Sequence, residues 1–143
     1  MFKANRRKFL FAIPLILSGF LFFITSVNSN AQTAQSDANA PSPRRISPEA
    51  AYQMMSQSDN FVLLDVRSPA EFRRGHITGA ILIPHTELAS RAARELPDKN
   101  APIFVYCQAG VRSANAAGTL AGLGYTRVFD TGGIVDWPAR LRQ

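Results

Sequence analysis

The chain has 143 residues, with 16 Lys and Arg against 10 Asp and Glu, and a single cysteine. Residues 1–31 hold four of the basic residues and none of the acids, so the remainder carries 12 basic and 10 acidic side chains, a net +2. That balance removes the basic footprint of a nucleic-acid binder. A lone cysteine excludes an internal disulfide, so packing must hold the fold and the thiol is either reactive or intermolecular.

Lys3, Arg6, Arg7 and Lys8 precede an apolar run from Phe9 to Ile24, and Ser29-Asn30-Ala31 supplies small residues at a cleavage site. Residues 1–31 therefore read as an export signal peptide, with the mature protein periplasmic or otherwise exported and touching a membrane only through an uncleaved signal. Arg6-Arg7-Lys8-Phe9-Leu10 resembles a twin-arginine signal with Asn5 in place of Ser or Thr, and the general route stays open beside it. Residues 32–43, rich in Gln, Ser, Asn, Ala and Pro, read as a flexible linker. Residues 44–143 are long enough for one core. No signal for oligomeric state is present.

Ser47-Pro48-Glu49 starts a helix, with an N-cap, proline at the first helical position and an acid in the first turn; Ala51, Met54 and Met55 share its apolar face. Phe61 to Leu64 is a continuous apolar run suited to a strand covered on both faces, and Ala80 to Ile83 is another. Between them Ser68 to Phe72 forms a short helix and Arg74-Gly75-His76 a turn. Leu88, Ala92 and Leu96 mark a third helix, stopped by Pro97 and the Asp98-Lys99-Asn100 turn. Ile103 to Tyr106 is a strand. From Arg112 a helix carries Ala116, Leu120 and Leu123 and ends at Gly124. Arg127-Val128-Phe129 is the last strand, and Gly132-Gly133 turns the chain into a short terminal helix containing Trp137. This alternation predicts an α/β fold with a mainly parallel sheet flanked by helices. Its site belongs beyond the carboxyl ends of the strands.

Cys107 occupies that position, at the end of a strand and facing a helix N-terminus. Unpaired N–H groups and the positive end of the helix dipole favour its thiolate. The turn from Cys107 to Arg112, with Gly110 able to take positive φ, can aim successive N–H groups inward as an anion nest. A thiolate beside a bound oxyanion suits attack on phosphorus or on the outer sulfur of a compound such as thiosulfate. A buried, inert cysteine is the structural alternative. Asp65 and Arg67, just after a buried strand, read as an ion pair or loop anchors. His76 and His85 lack the neighbours of a metal site and read as backbone partners, and Trp137 reads as a lid or core plug.

The chain resembles a single-domain rhodanese, a thiosulfate sulfurtransferase, across residues 46–138. The matching pieces stand in family order: Leu63 to Pro69 with Glu71-Phe72, Gly75-His76-Ile77 with Gly79-Ala80, Ile83-Pro84, Tyr106 to Ser113, Gly124-Tyr125, and Gly132-Gly133 with Trp137. The signal, the size, Leu96 to Asn100 and Gly124-Tyr125-Thr126 make it most similar to small periplasmic rhodaneses of the phage-shock protein E type. The resemblance implies a rhodanese domain over 44–143 with a five-stranded parallel sheet. It also implies a cycle in which Cys107 takes a sulfane sulfur, releases sulfite and passes the persulfide to cyanide or a thiol. Carried over, Gln108, Ala109, Gly110 and Val111 supply N–H donors and Arg112 supports the substrate anion, with no metal or organic cofactor.

Two other functions fit the same fold. Phosphatases and arsenate reductases use five residues between cysteine and arginine where this chain has four, and no general acid is assignable to Asp136 or Glu87. A non-catalytic rhodanese-like binding module usually lacks the cysteine that is present here. A disulfide oxidoreductase would need a second, resolving cysteine.

Overall fold

A computed structural model describes residues 42–143. The export signal read over 1–31 and nearly all of the linker lie outside the described residues. Five strands, β1 (Arg44–Arg45), β2 (Val62–Asp65), β3 (Ile81–Leu82), β4 (Ile103–Cys107) and β5 (Val128–Gly133), form one sheet in the order β1-β5-β4-β2-β3. Every pairing is parallel. Four α-helices connect them: α1 (Pro48–Ser56), α2 (Pro69–Arg74), α3 (Leu88–Glu95) and α4 (Val111–Gly122). Among the described residues no helix is long and apolar enough to cross a membrane.

The helix starts follow from local chemistry. The Ser47 side chain accepts the Ala50 N–H at the head of α1, and Ser68 forms a reciprocal capping box with Glu71 at the head of α2. Both helices begin with proline, whose missing N–H has no intrahelical partner to lose.

Side-chain alternation along β4 divides the core in two. Ile103, Val105 and Cys107 join Leu64 and Val128 in a cluster closed by Leu88 and Ala92 of α3 and Ala116, Ala117 and Leu120 of α4. Phe104 and Tyr106 point the other way, with Leu63, Phe129, Ile77 and Trp137, beneath Ala51 of α1. Phe104 stacks on Phe129 at 5.1 Å between centroids. The central strands are covered on both faces, which explains their unbroken apolar runs.

Three expectations are corrected. The strand expected over Ala80 to Ile83 as covered on both faces is the two-residue edge strand β3, which leaves Ile81 exposed. Gly132-Gly133 is not a turn but the end of β5, because the cysteine loop packs directly against it. Trp137 is not helical: it caps the 3₁₀ turn Ile134–Asp136 in extended conformation and is buried. The last helix ends at Gly122, with Gly124 at φ +87° two residues on, as a C-terminal glycine requires.

Candidate active site

Strand β4 delivers Cys107 to the carboxyl edge of the sheet, where it is only 1% exposed. The register of β4 on β5 slips between Val105 and Cys107, so that Cys107 lies opposite Gly133. A Cβ on Gly133 would stand 2.6 Å from the Gln108 carbonyl oxygen and 2.9 Å from the Ala109 Cα. Glycine there lets the loop sit on the strand. Gly110, at φ +97°, then reverses the chain into α4 with no side-chain cap on the helix.

The helix amides are therefore free to face sulfur. The Gly110 N–H donates to Cys107 Sγ at 3.1 Å. Burial, the largest single influence, pushes the thiol up, but the backbone N–H groups of Ser113, Gly110 and Ala109, with a smaller part from the Ser113 hydroxyl, outweigh it and leave the pKa below its ordinary value. The Ser113 hydroxyl also lies close to Sγ. It has one proton, and its shortest acceptor is Asp130 Oδ1 at 2.7 Å. The Gly110 and Gly132 carbonyl oxygens, at 2.9 and 3.2 Å, accept from the same hydroxyl, so three oxygens compete for its one proton while the backbone amides face the sulfur.

Asp130 ties the loop to the sheet. Its Oδ1 also accepts the Gly132 N–H at 3.0 Å, and its Oδ2 pairs with Arg45 Nη1 at 2.8 Å. The Arg45 guanidinium lies so near that a Cβ on Gly110 would be 3.2 Å from its Nη2.

The structure brings the predicted loop residues together; of the four expected amide donors, Ala109 and Gly110 act on the sulfur, joined by Ser113, and the role of Arg112 also differs. Gln108, Ala109 and Val111 are exposed around the buried Cys107. Arg112 does not present an open fork: Nη1 and Nη2 donate to Glu71 Oε2 and Oε1 at 2.9 and 2.7 Å. Its charge still raises the positive potential at Cys107, as the mutual attraction of the two groups records. Arg112 holds the Glu71 carboxyl well below the usual carboxylate range, aided by the Ser68 N–H and hydroxyl against the opposing effect of burial.

Asp65 and Arg67 form the buried ion pair read from the sequence, with Arg67 Nη2 2.7 Å from Asp65 Oδ2. Arg67 also donates to the Gly75 carbonyl at 2.6 Å and to Gln108 Oε1 at 3.3 Å, which fixes the first loop residue. His76 stacks on Phe72 at 3.8 Å and places Nδ1 3.0 Å from the Phe72 carbonyl, the backbone role expected of it.

Beside the loop lies an open cleft of about 620 Å³ whose walls include Arg67, Glu71, Arg74, Gln108, Val135 and Arg142. Cys107 is not in its wall, but its chain neighbour Gln108 is. A second, apolar cleft of about 310 Å³ lies under α1, with Trp137 in its wall. The Trp137 Nε1–H is buried without a partner among the described residues. Ser113, Asp130, Arg45 and Glu71 are the site residues that the sequence did not single out for it. Ser113 stood within the quoted loop motif, and the other three come from distant elements.

The family model of the rhodanese-like domain matches residues 47–140. The chain is 44% identical over 73 residues to the thiosulfate sulfurtransferase PspE of Escherichia coli, covering 51% of this chain and 70% of that protein. It is 35% identical over 97 residues to the thiosulfate sulfurtransferase GlpE of Ectopseudomonas mendocina, covering 67% and 85%. Among solved structures it resembles a rhodanese with anions from E. coli, with a TM-score of 0.53 and 39% identity over 57% of this chain and 95% of that one.

Proposed function

We propose, for a chain that belongs to the rhodanese-like domain family, a sulfurtransferase that moves a sulfane sulfur from thiosulfate or a similar donor, through a Cys107 persulfide, to cyanide or a thiol. Relatives named thiosulfate sulfurtransferase support the reaction class. The observation that carries the reading is the Cys107 sulfur at the mouth of α4, accepting the Gly110 N–H in a loop with no side-chain cap.

The thiolate attacks the outer sulfur of thiosulfate, the S–S bond of the donor breaks, and its electron pair leaves with sulfite. A new S–S bond joins the transferred sulfur to Cys107. The persulfide is again an anion, and the amides of Ala109, Gly110 and Ser113 that lower the thiol pKa stabilise it as they stabilised the thiolate. Gln108 and Val111 complete the loop, and Arg112, fixed by its two-point pair with Glu71, anchors the loop beside the site of the donor anion. The signal read from the sequence at residues 1–31 supports a site of action in the periplasm or otherwise outside the cytoplasm.

Thiocyanate release from thiosulfate and cyanide tests the proposal, with a phosphate monoester and Cys107→Ser run alongside. The parent forms thiocyanate, the variant none, and the ester stays intact. Ester cleavage without thiocyanate would make the protein a phosphatase of the same fold, and no reaction at all would leave a binding module.

A further inference from the structure

We infer that the cleft beside the cysteine loop selects, as sulfur acceptor, a small thiol carrying two anionic groups, held by Arg74 and Arg142; the inference rests on the sulfurtransferase reading above.

Charge pairing in the wall leads to this assignment. Arg67 is neutralised by Asp65, and Glu71 by Arg112. What is left among the charged side chains of the wall is Arg74 and Arg142, neither in an ion pair among the described residues. They share the wall because the end of the chain returns to the turn after α2. His76 and Gln143 exchange backbone hydrogen bonds of 2.8 Å in both directions, and Ile77 bridges Arg142 in antiparallel fashion. This pairing brings the Arg142 backbone beside the end of α2, which carries Arg74.

Size argues for an acceptor rather than thiosulfate alone. A cleft of about 620 Å³ falls within the roughly 300–1,000 Å³ of small-molecule sites, whereas thiosulfate is a compact anion that would fill little of it. Two guanidiniums suit two carboxylates or comparable anions, each able to accept paired N–H bonds. Gln108 lies both in the cleft wall and next to Cys107, so an acceptor anchored there has its sulfur close to the persulfide. The acceptor thiolate attacks the outer persulfide sulfur and forms a new S–S bond. The bond to Cys107 breaks, its electron pair returns to Sγ, and the acceptor departs as a persulfide with no external oxidant or reductant.

The test loads the purified protein with thiosulfate, confirms one added sulfur by intact mass, removes the donor and follows loss of that sulfur in single turnover. Mercaptosuccinate, mercaptoethanol and cysteamine are compared at equal thiolate concentration, each rate divided by that of the same thiol with a small free disulfide, because reactivity follows both the amount and the nucleophilicity of the thiolate. Mercaptosuccinate unloads the parent faster than mercaptoethanol by on the order of tenfold, the modest preference two exposed ion pairs supply, and cysteamine is slowest. Salt narrows the gap, and Arg74→Gln/Arg142→Gln brings the ratio of the first two thiols to about one. Equal rates in the parent, or a ratio that survives the double substitution, would overturn the inference. Slower loading with an unchanged ratio would assign the arginines to the donor and also overturn it. If no sulfur adduct forms at all, the sulfurtransferase reading itself has failed, a result distinct from these.

Discussion

Arg112 and Glu71, 41 residues apart in sequence, meet in a two-point ion pair of 2.9 and 2.7 Å that clamps the head of α4 to the head of α2. Because the same carboxylate accepts the Ser68 N–H and hydroxyl, one side chain caps a helix and positions the arginine of the cysteine loop. Arg112 therefore acts on the loop as an anchored charge.

Glu71→Gln should lower stability at neutral pH by about 1.5–3 kcal/mol, the scale of hydrogen bonds to charged groups. The folded Glu71 pKa is depressed, chiefly by Arg112. Its stabilisation is thus fully present above the unfolded value of about 4.3 and is lost as pH falls toward the lower folded value. Denaturant unfolding of parent and variant should converge on acidification below about pH 4. A gap that is constant through that range would show that the pair contributes nothing linked to this proton.

Ser113→Ala separates two roles of one residue. Asp130 Oδ1 loses its 2.7 Å donor, so the fold should weaken by about 1–3 kcal/mol. The backbone amides on Cys107 stay in place, and the hydroxyl lowers its pKa less than any of them, so the midpoint of the pH profile of iodoacetamide alkylation should rise by less than about one unit. Reactivity falls as pH drops through that midpoint, since the thiolate is lost. A rise of about one unit or more in the variant would mean that the hydroxyl proton had pointed at sulfur after all.

Gly133→Ala tests the close approach of strand and loop. Its φ is −96°, so no backbone strain enters; the added methyl meets the Gln108 carbonyl at 2.6 Å. The loop must lift, costing about 1–3 kcal/mol as overpacking does and moving the amides off Sγ. The alkylation midpoint should rise and thiosulfate turnover fall by more than the loss of folded protein accounts for. Unchanged turnover would show that the loop tolerates displacement.

Much of this arrangement is readable before any coordinates. Phe61 to Leu64 and Ile103 to Tyr106 declare covered strands, and Ser-Pro pairs declare the starts of α1 and α2. Strand β1 is different, because Arg44 and Arg45 are an exposed, charged edge with no apolar pattern. Only the family resemblance supplied a fifth strand. Gly132-Gly133 carries the composition of a turn, yet the need it meets is space for the cysteine loop. Cys107 and its amide cradle follow from local sequence. The partners Glu71 and Asp130 do not, since sheet order brings them to the loop from α2 and β5.

The most direct test of the central claim is intact mass of the protein after incubation with thiosulfate, compared with Cys107→Ser. One added sulfur in the parent, removed by cyanide with release of thiocyanate and absent from the variant, is the result predicted for a Cys107 persulfide. No adduct in the parent, or an adduct that persists in Cys107→Ser, would contradict it.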